Sequence, residues 1–220
     1  MKLSDKGLMA LIAHEGIVQS RYKDSVGVWT IGVGHTAAAG GIDPAKFNGT
    51  LTMREVFDML RHDVARYEAA VDKAVKVPLA QHQFDALVSF HYNTGAIGKA
   101  TLVKKINSGD FEGAAKGFDA WVNPPEIKPR RMAEKALFKS GVYPEAFATL
   151  YPATPQGKVL WASGKRVDLA RALLLSPVVP EPAKPAADLV KELLPLETPV
   201  VRKSPIAAII AFILKVFGKK

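Results

Sequence analysis

The chain has no cysteine. That excludes a disulfide framework, a thiolate metal site and a cysteine nucleophile, and it fits folding in a reducing compartment. Histidine is sparse, and the five present show no metal-ligand spacing. The His14-Glu15 pair runs into Gly16, with no second histidine where a zinc-binding H-E-x-x-H helix needs one. Neither a metal nor another cofactor is expected. Acidic residues are outnumbered, 21 against 30 lysines and arginines, which leaves a formal charge of +9. Such an excess favours polyanions: nucleic acid, anionic lipid or a negatively charged cell envelope. Zinc-finger spacing, RNA-binding signatures and dense basic blocks are all missing, so no nucleic-acid partner is expected. A cleavable leader is not expected either. The apolar run near the start is broken by Asp5, Lys6 and Gly7, and no small-residue cleavage site follows.

What is present is a chain of 220 residues, nearly half of them hydrophobic, enough for one ordinary domain with appendages or two small ones. Ser4 reads as an N-cap, with Leu3 before it. The helix it opens puts Leu8, Leu11, Ile12 and Glu15 on one face, and Gly16 stops it. From Tyr22 to His35 the period changes to two, with Lys23-Asp24-Ser25 and Gly27 as a polar turn inside a small hairpin. Along Val28–His35, Trp29, Ile31, Val33 and His35 share one face, and Thr30 shares the other with Val28, Gly32 and Gly34. Thr52 and Glu55 form a capping box, with Leu51 and Val56 as its staple. Helices are predicted from Thr52 past Val71, over Leu79–Asn93, Thr101–Asn107, Asp110–Val122 and Pro129–Ser140. One short hairpin followed by many helices predicts an α+β domain.

Glycoside hydrolysis needs two carboxyl groups in opposite protonation states. On the apolar face of its helix, Glu15 is expected to be desolvated and to hold a proton. Asp24, in a polar turn, is expected to stay ionised. Thr30 lies on a glycine-flanked strand face that a ligand can approach closely.

The spacing HEG-x7-D-x5-T, within HEGIVQSRYKDSVGVWTIGVGHT, resembles the Glu–Asp–Thr triad of family 24 glycoside hydrolases, the phage lysozymes. The later runs QFDALVSFHYNTGAIGKATLVKKINSGDFEGAAKGFDAW and RRMAEKALF resemble the same family, over roughly residues 3–145. The resemblance implies a lysozyme-like fold, with a cleft between a small hairpin lobe and a larger helical lobe. It implies an inverting muramidase (an endolysin) that cuts the β-1,4 bond between N-acetylmuramic acid and N-acetylglucosamine in peptidoglycan. Glu15 would be the general acid, and Asp24 and Thr30 would position water, with Asp24 as base. Arg130 or Arg131 would approach Glu15. Two departures stand out: Ala100 where many relatives have serine, and VNPPEIKP after Trp121 in place of a glycine-rich turn.

Other candidates carry two readings each. Asn93 is either a sugar ligand or a plain helix cap, and Arg130 and Arg131 either support Glu15 or form a solvated basic patch. His35 reads as a structural histidine, with buried Asp63 as its expected partner.

The predicted organisation is a catalytic domain over 1–148, an extension of it over 149–176, a proline-rich linker over 177–205 and an apolar, then basic, tail over 206–220. Ile206–Leu214 is shorter than the ~20 residues a membrane span needs. The tail is read as a helix for an anionic membrane surface, or one docked on the domain. A monomer is expected, held in the host cytoplasm until a separate membrane-permeabilising protein lets it reach the cell wall. Two rivals remain: a lytic transglycosylase on the same bond, and a membrane-active or virion structural protein carrying a lysozyme fold.

Overall fold

A computed structural model gives the architecture, and it describes residues 1–175. The proline-rich linker and the 206–220 tail lie outside these residues.

Helix α1 (Asp5–Glu15) is capped by the Ser4 hydroxyl, which accepts from the Gly7 amide, and it buries Leu8, Leu11 and Ile12 completely. The predicted hairpin is larger than its alternation suggested. It is a three-stranded antiparallel sheet in the order β1 (Val18–Lys23), β2 (Trp29–Gly32), β3 (His35–Thr36). The single strand expected over Val28–His35 is broken at Val33-Gly34. Gly32 and Gly34 both adopt positive φ there, which a regular strand cannot hold.

The helical lobe starts with α2 (Met53–Ala74), where both halves of the Thr52/Glu55 capping box are formed and Leu51 and Val56 are buried. Then come α3 (Gln81–Thr94), α4 (Thr101–Asn107), α5 (Phe111–Gly117) and α6 (Lys128–Ser140). The one helix predicted over Asp110–Val122 is α5, capped by Asp110, followed by a separate 3₁₀ turn at Phe118–Trp121. That turn drops Phe118 into an aromatic cluster with Phe90 and Phe138, at 5.5 and 5.7 Å between ring centroids. Ala100 stands at the N-cap of α4 with no side-chain hydrogen bond.

After α6 the chain builds a feature the sequence pattern did not announce. Strands β4 (Phe147–Leu150) and β5 (Lys165–Asp168) pair antiparallel, and α7 (Leu169–Leu175) follows. This second sheet grips the turn between α1 and β1. The Ile17 amide donates to the Thr149 carbonyl at 2.9 Å, and the Ile17 carbonyl accepts from the Tyr151 amide at 2.8 Å. One apolar core runs through the helices and under the first sheet, with α3 against α6 at its centre. Among the described residues no helix is long and apolar enough to cross a membrane.

Candidate active site

Glu15 is the last residue of α1, and Gly16, at φ +77°, turns the chain sharply into β1. The carboxyl is therefore not sealed under the helix as its periodicity implied. Its side chain is 29 % exposed, and Arg130 Nη1 donates to its Oε1 at 2.5 Å.

That arginine is fixed from behind. Arg130 and Arg131 are both buried on α6, one turn before Glu134, whose carboxylate is 1 % exposed. Glu134 Oε1 accepts from Arg130 Nε at 3.0 Å and from the Ser89 hydroxyl at 2.7 Å, while Oε2 accepts from Arg131 Nη1. Arg131 also donates through Nη2 to Asn93 Oδ1 and through Nε to the Trp121 carbonyl at 3.1 Å. Both guanidiniums thus share the buried Glu134 carboxylate, and Arg130 also reaches the Glu15 carboxyl. Ser89 went unnoticed in the sequence, and Glu134 figured only as the acid that closes the RR-x-x-E element, with no role of its own, although it follows the arginine pair at helical spacing.

Asn93 is not the helix cap, because α3 ends at Thr94 and Gly95 takes the left-handed capping position. Its amide oxygen is held by Arg131, so it stands behind the arginine pair. His14, next to Glu15, has its pKa pushed down to about 4, first by burial and then by the charges of Arg130 and Arg131.

Asp24 opens the turn between β1 and β2. One carboxylate oxygen, Oδ1, accepts from the Val26 and Val28 amides at 3.0 and 2.9 Å, which orients the group along the hairpin. Thr30 is buried on β2, cross-strand from Tyr22, and its hydroxyl donates to the Val28 carbonyl at 3.1 Å. Tyr22 links the two sides of the site. Burial raises its phenol pKa, and the charges of Asp24 and then Glu15 raise it further, so both carboxylates act on one ring. Tyr92 is pushed up by burial and by Glu15, and its hydroxyl donates to the Val33 carbonyl at 2.7 Å. Neither tyrosine was singled out in the sequence, since a tyrosine on an amphipathic element reads as core.

His35 occupies the position its strand parity gave it. Buried Asp63 meets its Nδ1 at 2.8 Å and the Ile42 carbonyl meets its Nε2 at 2.8 Å. With both ring nitrogens engaged, this side chain braces β3 against α2. Among the described residues, no group of three or more His, Asp or Glu is placed to hold a metal ion.

Residues 12–134 match the model of the phage lysozyme family. The endolysin of Acyrthosiphon pisum secondary endosymbiont phage 1 is 37 % identical over 151 residues, which span 64 % of this chain and 99 % of that protein. A P22 lysozyme variant of known structure is 35 % identical with a TM-score of 0.59, over 64 % of this chain and 99 % of that one. The muramidase domain of SpmX from Asticaccaulis excentricus is 32 % identical with a TM-score of 0.55, over 63 % of this chain and 98 % of that one.

Proposed function

This chain belongs to the phage lysozyme family and is a muramidase of the endolysin type, and we propose that Glu15, Asp24 and Thr30 carry its reaction. The substrate is bacterial peptidoglycan. Glu15 gives its proton to the glycosidic oxygen as the bond to the anomeric carbon breaks. Asp24, together with the Thr30 hydroxyl of the same hairpin, holds a water on the opposite face of the sugar. That water attacks the anomeric carbon as it loses a proton to Asp24, and the configuration inverts.

The observation that carries this reading is the pair of oriented carboxyls: Glu15, partly exposed at the end of α1 and held by Arg130 at 2.5 Å, and Asp24, held in the β1–β2 turn by the Val26 and Val28 amides. Arg130 and Arg131, backed by Glu134 and Asn93, act as positioning residues for Glu15. A transglycosylase needs only one glutamate, so an Asp24 oriented by two backbone amides favours hydrolysis. Proton NMR of the first-formed product is the test. Inversion of a β-linked substrate yields the α anomer, and a β anomer would refute the assignment of Asp24 as base.

The enzyme acts on the host cell wall. It is a monomer that waits in the host cytoplasm and enters the periplasm once a separate protein permeabilises the inner membrane. The tail at 206–220, outside the described residues, adds an affinity for anionic bilayers through its apolar side chains and flanking lysines. Each basic residue near such a surface contributes about 1 kcal/mol. A truncation after Ser204 should keep cleavage of membrane-free peptidoglycan and lose co-sedimentation with anionic vesicles. Vesicle binding that survives the truncation would remove this role from the tail.

A further inference from the structure

Beyond the cleft, the second sheet creates a groove that the reaction does not use. It is a cavity of about 290 Å³ between β1, the loop ending at Thr50 and the 150–165 segment. It shares Ser20, Thr50 and Ala153 with an adjoining cavity of about 220 Å³. The 151–165 stretch lies beyond residues 12–134, which match the family model, whereas the facing wall of Gln19, Ser20 and Thr50 lies within them.

The chemistry of the walls is specific. Hydroxyls of Ser20, Thr50 and Ser163 line the groove beside the ring of Tyr151 and the ammonium stem of Lys165. Among the described residues the Ser20 and Thr50 hydroxyls meet only each other, at a long 3.3 Å, and so keep hydrogen-bonding capacity for a ligand. Tyr151 packs edge-on against Trp161 at 4.9 Å, and Trp161 is 66 % exposed. Across both cavities the charged lining residues among those described are Lys165 and Arg21, with no acid.

We propose that this groove is a second glycan-binding site, for the N-acetylated amino-sugar chain of peptidoglycan, with Trp161, which packs on the lining residue Tyr151 without itself lining the groove, as the stacking platform beside it. An exposed indole offers an apolar face to the C–H face of a pyranose ring. The hydroxyl rim matches sugar hydroxyls and acetamido groups. Lys165 and Arg21 match the carboxylates that lactyl groups and stem peptides carry. The site is also placed to work with the cleft. Ser20 lies four residues before Asp24 along the hairpin, about 13 Å at strand spacing, within reach of a single glycan strand. The groove would hold an insoluble polymer against the catalytic face between cuts. Only the choice of ligand rests on the muramidase reading.

The test is binding rather than cleavage. Full-length Glu15→Gln protein is titrated onto purified sacculi, alone and with Trp161→Ala, Trp161→Phe or Leu174→Ala added, and a melting curve is taken for each. Trp161→Ala should weaken retention about tenfold. Trp161→Phe should recover most of it, and Leu174→Ala, which removes another exposed apolar side chain, should leave it unchanged. In protein unaltered at position 161, the Trp161 indole N–H resonance should shift when a tetramer of N-acetylglucosamine is added. Equal retention by the Trp161→Ala protein, or an indole resonance that does not move, would overturn the proposal. Muropeptides released by folded Glu15→Gln protein in the same experiment would instead overturn the catalytic assignment.

Discussion

Glu134→Gln isolates the charge that holds the arginine pair in place. The substitution conserves volume and leaves one of the two acceptor oxygens. Its new amide, however, turns donors toward guanidinium donors, and two buried cations lose the carboxylate between them. In the native protein Glu134 is 1 % exposed and both of its oxygens are engaged by Ser89, Arg130 and Arg131. Removing one partner of a buried pair costs about 3–5 kcal/mol. For a domain of this size each kcal/mol moves Tm by about 2–4 °C, so a fall of roughly 6–20 °C is expected. Thermal unfolding at neutral pH, followed by circular dichroism, reads this directly. Glu145→Gln serves as the internal comparison, because its pair with Arg166 is exposed on both sides and should move Tm by less than about 2 °C. The variant should also cleave more slowly, since the same carboxylate anchors the Nε of the arginine that touches Glu15. A Tm within 2 °C of the wild type for Glu134→Gln would show that the buried network does not organise the site.

Two further outcomes follow from residues around the site. Because the folded pKa of His14 is depressed to about 4, the unfolded chain binds the extra proton first as pH falls. Stability should therefore drop between pH 6.5 and 4 and level off below, by at most about 3 kcal/mol from this group. His14→Gln should flatten that part of a urea-midpoint profile, and an unchanged slope would contradict the assignment. Gly157→Ala perturbs the contact between the second sheet's loop and the catalytic hairpin. Gly157 sits at φ +86°, and an added Cβ would come within 2.6 Å of the Trp29 ring. The backbone penalty alone is roughly 1–2 kcal/mol. Amide exchange along β1 and β2 should accelerate, and unchanged protection would show that this loop does not brace the hairpin.

The parts legible in the sequence were those fixed by local chemistry. The Ser4 cap, the Thr52/Glu55 box and the Gly95 and Gly141 helix stops all stand where their residue types place them. Strand parity also gave the His35–Asp63 bond, since a buried acid on one element needs a partner on another. The second sheet was hidden because β4 is only four residues long and pairs with a strand 15 residues further on, a contact no local period encodes. The buried role of Glu134 was hidden for a related reason. Its burial depends on α6 lying against α3, and a charged residue on a basic helix otherwise reads as solvent-facing. The environment expected for Glu15 was too dry, because the periodic face of a helix says nothing about where its last turn opens. The match of HEG-x7-D-x5-T to the family survived that error, since it depends on residue types and spacing.

The most direct test of the central claim is mass spectrometry of the muropeptides released from purified peptidoglycan by the wild-type protein and by Glu15→Gln. The account predicts fragments with reducing-end N-acetylmuramic acid from the wild type and none above background from the folded variant. Anhydro-muramyl ends from the wild type, or cleavage at a near wild-type rate by Glu15→Gln, would contradict it.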